Sequence, residues 1–309
     1  MKGVSGIVFR GNPIYRKEIS IDARAARVFS LILIFNCILA IVTFVLFFTS
    51  LNGVSSMNAL NYSGLVDMYT LMAYIEFGIV FLVIPSITAG SITGERERKT
   101  LDIMLVGSRH SWMVVWGKFK ACIQLMLVVL FSSVPILSIV FVYGGIRLLN
   151  IVHLIFIITL AGVYMGSVGI FCSSVCKKTT SAIILAYSAV LILILITTVL
   201  NFFFANMESH GVYDANYIAL HFNPMAPLAY LVSEQLETSN ILSDFIFTKT
   251  SDVTTDMLME EWLRNSIIVQ TALSAVLLIL SAVIINPLKF NFVRRAWMKY
   301  GERKDAKKN

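Results

Sequence analysis

The chain has 309 residues and a net charge of +7, and 57% of its residues are hydrophobic while only 14% are charged. Its mean hydropathy is +0.80. A soluble domain carries about a quarter charged residues because its surface must stay hydrated, and disordered chains are poor in apolar residues. The composition therefore excludes both classes and indicates an integral membrane protein.

Six apolar stretches are long enough to cross a bilayer as helices, since about 20 apolar residues span the hydrocarbon core. They are residues 28–50, 70–92, 121–143, 151–175, 180–205 and 266–287. Transmembrane β-strands are shorter and alternate in polarity, and none of these stretches alternates. The predicted fold is an all-α integral membrane protein with six transmembrane helices.

The basic residues assign an orientation to these spans. All but three of the 25 Lys and Arg residues lie before span one, between spans two and three, between spans four and five, or after span six. Because basic residues are enriched in cytoplasmic loops, both termini are predicted to be cytoplasmic. The chain then divides into an N-terminal arm (1–27), a transmembrane domain (28–287) and a basic tail (288–309). Anionic lipid headgroups account for the positive charge, and no nucleic acid is expected as a partner.

The N-terminal arm contains a helix start. Asn12 can cap a first turn, and Pro13 suits the first helical position. Arg16, Lys17 and Glu18 follow in a stretch that mixes charged and apolar side chains. Such a helix is expected to lie in the membrane interface with its basic side chains near lipid phosphates. The alternative is a solvated basic leader.

The loop between spans two and three, residues 93–120, combines a charged cluster with an apolar stripe. The charged members are Glu95, Arg96, Glu97 and Arg98. In a helix Leu101, Met104 and Leu105 would share one face, away from most of the charges. This pattern favours docking of a soluble partner below the membrane, and the alternative is a solvated charged loop.

The segment between spans five and six, residues 206–265, is the largest one predicted outside the membrane. Asn223 and Pro224 suggest a helix start, and residues 224–236 have an apolar face. A second short helix is expected over residues 253–263. The segment is predicted to be either a gate over an exit path or a structural cap.

A few residues inside the spans stand out. Glu76 is the only formal charge within any span, and a carboxylate in hydrocarbon is costly, so it is either a hydrogen-bonded structural acid or a pathway residue. Pro85 and Pro135 are expected to kink spans two and three, where they could act as hinges. Gly162 and Gly166 are spaced for close helix packing.

The chain lacks the motifs of a catalytic subunit. It has no nucleophile elbow, zinc-protease pair or Walker phosphate loop, so no metal site and no cofactor are predicted in it. The rival to an ATP-driven transporter subunit is a secondary carrier that uses an ion gradient, with Glu76 as its ion site. No inverted repeat is evident between spans one to three and four to six.

The chain resembles the type-2 ABC transporter permeases, which are membrane subunits of bacterial exporters. The matching residues of the loop are Glu95, Arg96, Glu97, Thr100, Leu101, Leu105, Trp112, Gly117 and Lys118. The arm from Asn12 to Glu18 is similar to the elbow helix of that family. Lys99 replaces the usual glycine and Ser108 the usual proline, so the loop departs from the family pattern at two turn positions.

The resemblance implies a role for each region. The helix near Glu95 to Leu105 would be a coupling helix seated on a separate cytoplasmic ATPase, which would bind ATP and Mg²⁺. Two permease halves, identical or related, would form the pathway. The chain itself would not be an enzyme, and it would reside in a bacterial cell membrane.

Overall fold

The computed structural model describes residues 14–15, 18–19, 26–52, 62–107, 111–144, 148–207, 218–236 and 254–286. The predictions made for Asn12, Pro13, Arg16, Lys17 and the tail after residue 287 lie outside these residues. Two parts of the segment between spans five and six also lie outside the described residues, namely 208–217 and 237–253.

The described part of the chain is helical. Its helices are α1 (Ala26–Asn52), α2 (Tyr62–Glu97), α3 (Leu101–Gly107), α4 (Ser111–Gly144), α5 (Leu148–Val175), α6 (Thr179–Met207), α7 (Ala226–Leu236) and α8 (Thr254–Ile285), with a 3-10 turn at Ala219–Phe222. Six of them are long and apolar enough to span a membrane, namely α1, α2, α4, α5, α6 and α8. The prediction of six spanning helices is confirmed.

Several helices extend beyond the predicted spans. Helix α2 continues through the charged residues to Glu97, and α4 begins at Ser111, ten residues before the predicted span. Most of the loop at 93–120 is therefore continuous with the two long helices. The expected separate helix at 253–263 is instead the first part of α8, because the apolar pattern of the two segments is continuous along one helix.

Helix α5 is the most buried of the spanning helices and α1 the least. The glycines of α5 allow close packing against its neighbours. A Cβ at Gly162 would lie 2.2 Å from Met126 Sδ of α4, and one at Gly166 would lie 3.2 Å from Ile84 Cγ2 of α2. The small-residue spacing predicted a tight helix contact, and the structure confirms it.

The segment before α8 is packed against the helices. Leu228, Leu231 and Val232 of α7 are buried in the largest apolar cluster. The Gln235 side chain accepts a hydrogen bond from the Tyr69 hydroxyl at 2.5 Å and donates one to the Asn150 carbonyl at 3.1 Å. These contacts hold α7 against the spanning helices, and the gate and the structural cap both remain predictions.

A polar clamp holds the turn that precedes α7. The Gln270 amide of α8 donates to the carbonyl oxygens of His221 and Asn223, at 3.2 and 3.0 Å. The Asn223 amide donates to Thr198 Oγ1 of α6 at 3.1 Å. Since Asn223 is fully buried, these bonds join α6, α7 and α8 at one end of the bundle. The other end, where α2 and α5 finish and α4 and α6 begin, is called the basic end below.

Candidate coupling site

The charged cluster predicted to contact a partner lies at the end of α2, at the basic end, with Arg98 in the turn that follows. Glu95, Arg96 and Glu97 each contact another element of the same chain. The Arg96 guanidinium donates to the carbonyl oxygens of Cys176 and, at 3.0 Å, of Ser174. An arginine at these carbonyls satisfies acceptors that have no partner within α5, because they lie at its C-terminal end.

Glu97 binds the start of the next helix. Its two carboxylate oxygens accept from the Thr179 backbone N–H at 2.7 Å and from the Thr179 hydroxyl at 2.8 Å. A carboxylate at a helix N-terminus is favoured by the helix dipole. Arg96 and Glu97 together fasten the end of α2 to the turn between α5 and α6.

Glu95 faces the opposite way, toward α4 and the N-terminal arm. Lys118 Nζ lies 2.8 Å from Glu18 Oε1 and 3.3 Å from Glu95 Oε1. The Lys118 side chain is only 4% exposed, so its charge requires these partners. Tyr15 also reaches α4, because its hydroxyl donates to Gln124. Lys118 thus links the arm, the end of α2 and α4.

The turn between α2 and α3 depends on Lys99. Its φ is 58°, and it is the only non-glycine with a positive φ in the described part of the chain. The Thr100 N–H donates to the Glu95 carbonyl at 3.0 Å and the Lys99 N–H to the Arg96 carbonyl at 3.1 Å. This pair of bonds is a Schellman motif, whose left-handed position favours glycine. The structure therefore divides the predicted helix from Glu95 to Leu105 into the end of α2, a turn and α3.

We expect Lys99→Gly to stabilise the protein by about 1 kcal/mol, because a side chain in the left-handed region costs about 1–2 kcal/mol that glycine does not incur. The measurement is the thermal unfolding midpoint of the purified protein in detergent. Lys177→Gly is the matched control, since Lys177 lies in the other turn at the basic end and has no positive φ. Equal midpoints for the two variants would contradict the prediction.

Helix α3 is anchored by one face and exposed on another. Leu101 is 6% exposed and packs with Ile92, Val115 and Phe119, and Leu105 packs against the same cluster. Ile103 is 73% exposed and Val106 is 89% exposed. The face predicted to dock is therefore the one that holds α3 to the bundle. Among the described side chains of α3, the exposed large apolar ones are Ile103 and Val106, neither of which the sequence analysis singled out.

Glu76 is fully buried in α2. Neither of its carboxylate oxygens has a hydrogen-bond partner within the described residues. Ser133 of α4 lies beside it, but the Ser133 hydroxyl donates to the Leu130 carbonyl at 2.7 Å. A buried carboxyl group without such bonds costs free energy. The structural acid and the pathway residue both remain predictions for Glu76.

We expect Glu76→Met to raise the thermal unfolding midpoint, because an apolar side chain of similar length removes a buried carboxyl group that lacks a partner. We also expect it to reduce transport, since ionisable residues within membranes are commonly functional. Unfolding in detergent and transport in proteoliposomes are the two measurements. Glu76→Gln keeps a polar group and should show a smaller gain in stability. A lower midpoint for Glu76→Met would mean that the carboxyl group has a stabilising partner.

The two predicted hinge residues lie inside long helices. Pro85 is buried within α2 and Pro135 is exposed within α4. Each lacks the N–H that would bond to the preceding turn. Near Pro85, the Tyr187 hydroxyl of α6 donates to the Leu82 carbonyl of α2. Bending at either proline remains a prediction.

These features define a multi-pass integral membrane protein with six candidate spans and a compact polar cluster at one end. Within the described residues, no group of three or more His, Cys, Asp or Glu side chains is placed to hold a metal ion. A family model described as "ABC-2 family transporter protein" matches residues 12–294. The chain belongs to this family, and it is the membrane component of an ABC-2 type permease. No curated protein matches the chain significantly in sequence.

Proposed function

We propose that this chain is the permease subunit of an ATP-driven exporter in a bacterial cell membrane, with both termini in the cytoplasm. A separate ATPase binds ATP and Mg²⁺, and a second permease half, identical or related, completes the translocation pathway. The observation that supports this most directly is the match to the family over residues 12–294. The positive charge near α3 agrees with a cytoplasmic location for the basic end.

Helix α3 is the proposed contact with the ATPase. It is short, it protrudes where α2 ends and α4 begins, and it exposes Ile103 and Val106. Exposed apolar side chains outside a membrane span suit a protein interface. Leu101 and Leu105 hold the other face of α3 to the bundle, so a displacement of α3 would be passed on to the helices it packs against.

Two sets of contacts carry that displacement further. Lys118 joins Glu95 to Glu18, which extends the connection to α4 and to the arm that we propose as an elbow helix. Arg96 and Glu97 join the end of α2 to α5 and α6. A movement at α3 therefore reaches four of the spanning helices through charged hydrogen bonds, which are stronger than neutral ones. Pro85 and Pro135 are the proposed bending points.

The test is reconstitution with and without the ATPase. The chain is purified from its native membranes, the co-purified proteins are searched for one with a Walker motif, and the pair is placed in proteoliposomes. We expect ATP hydrolysis by the pair to differ from that of the ATPase alone, and cargo to move only with ATP. Transport by this chain alone, driven by an ion gradient, would contradict the proposal and would favour the Glu76-based carrier.

A further inference from the structure

A cavity of about 340 Å³ opens at the basic end between the arm, α2 and α4. Its lining residues on α2 are Ile87, Gly90, Ser91, Gly94 and Glu95, and Arg98 lines it from the turn that follows α2. The α4 side contributes Lys118, Ala121 and Cys122, and the arm contributes Glu18. The cavity lies where the spanning part of two helices meets their charged ends.

The lining changes from apolar to charged along both helices. Along α2 it passes from Ile87 through small residues to Glu95 and then to Arg98 in the following turn, and on α4 it passes from Cys122 to Lys118. The space exists because the residues in the middle of the α2 face have small side chains or none. A Cβ added at Gly94 would have no atom within 4 Å. A molecule that fits this gradient has an apolar part directed into the membrane and a charged part at its surface. Phospholipids have this form.

The charges of the lining are unequally paired. Glu18 and Glu95 share one cation, Lys118. Within the described part of the chain, only the first carboxylate oxygen of Glu18 is hydrogen-bonded, to Lys118, and the second has no partner there. The same holds for the guanidinium group of Arg98, which is exposed at the mouth of the cavity. The cavity therefore offers one acceptor for a cation and one donor group for an anion.

We propose that this cavity binds a phospholipid whose headgroup carries a primary ammonium group. The ammonium donates to the second carboxylate oxygen of Glu18, whose first oxygen is paired with Lys118. The phosphate accepts from Arg98, whose planar donors suit phosphate oxygens. The acyl chains leave along the apolar side of the lining, near Ile87 and Ala121. With this headgroup bound, each of the four charged side chains of the site has a partner of opposite charge.

Other headgroups leave part of the site without a partner. A glycerol headgroup has no positive charge for Glu18, and a choline headgroup has no N–H to donate. A soluble phosphoethanolamine compound has the same charges but no acyl chains for the apolar half of the cavity. The three compounds therefore separate the ammonium group, its hydrogen bonds and the lipid chains as determinants of binding.

The test measures lipid binding to the purified full chain in detergent by native mass spectrometry. The probes are phosphatidylethanolamine, phosphatidylglycerol and phosphatidylcholine with identical acyl chains, and glycerophosphoethanolamine as the chain-free compound. We expect phosphatidylethanolamine to bind about tenfold more tightly than the other probes, a difference typical of a lost hydrogen bond to a charged group. Arg98→Ala and Glu18→Gln should each weaken it by a similar factor.

Gly94→Leu fills the cavity and should abolish the preference for phosphatidylethanolamine. Gly78→Leu is its matched control, because a Cβ at Gly78 also has no atom within 4 Å and Gly78 lies on α2 outside the cavity. Equal binding of the three lipids, or an unchanged preference in Gly94→Leu, would overturn the proposal. Tight binding of glycerophosphoethanolamine would show that the acyl chains are not needed and would contradict a lipid as the ligand. No ATPase is needed, so failure here is independent of the proposed coupling.

Discussion

Replacing Ile103 and Val106 together with glutamate is expected to separate ATP hydrolysis from transport while the protein still inserts into the membrane. Both side chains are exposed, at 73% and 89%, so the double variant removes no buried contact of the fold. Truncating a hot-spot residue at the centre of an interface costs about 2 kcal/mol or more, which corresponds to about 30-fold in affinity. We expect a loss of ATPase association of about that size, measured by co-purification and by hydrolysis in proteoliposomes.

The matched control is Ile218→Glu, because Ile218 is also an exposed isoleucine, at 61%, and precedes the 3-10 turn at the opposite end of the bundle. It should leave association and transport unchanged. Leu101→Asp serves as a contrast, since it places a charge in a buried cluster and should lower the yield of folded protein. Normal association of the Ile103→Glu, Val106→Glu protein would show that α3 does not dock through this face.

The six spanning helices could be predicted from the sequence because a bilayer requires long, uninterrupted apolar stretches. Their ends could not be placed as well. Charged residues after an apolar stretch indicate the end of the hydrocarbon core but not the end of the helix, and α2 continues to Glu97 while α4 begins at Ser111. The Gly162–Gly166 spacing predicted close packing, but not that the partners are Met126 and Ile84.

The contacts of the charged cluster could be predicted from the sequence less well than the spanning helices. Glu95, Arg96 and Glu97 are adjacent in the sequence, yet they bind different elements, because consecutive residues of a helix point about 100° apart. Lys118, the partner of Glu95, is 23 positions away, and Thr179, the partner of Glu97, is 82 positions away. No local sequence pattern predicts contacts over such separations. Leu101 and Leu105 of the predicted apolar stripe do lie in one cluster, but whether such a stripe faces the same chain or another protein depends on what surrounds it.

Gly169→Leu is expected to disrupt the packing of α5 against α2, with a loss of about 3 kcal/mol, the upper part of the usual range for overpacking. A Cβ at this position would lie 2.0 Å from Thr88 Oγ1, 3.0 Å from Thr88 Cβ and 3.3 Å from the Ala89 backbone nitrogen. Thr88 cannot move aside easily, because it is fully buried and its hydroxyl donates to the Ile84 carbonyl at 2.7 Å. The backbone of α2 itself must shift.

That shift would occur about two turns before the end of α2, where Arg96 and Glu97 hold the α5–α6 turn. We therefore expect both a lower thermal unfolding midpoint and weaker coupling in proteoliposomes. Gly78→Leu is the appropriate comparison, since it adds the same side chain to a bundle helix at a position with open space around the Cβ. Because side-chain size and helix propensity are matched, a deficit confined to Gly169→Leu measures the closeness of α2 and α5. Equal stability of the two variants would mean that the helices can separate at this point without loss.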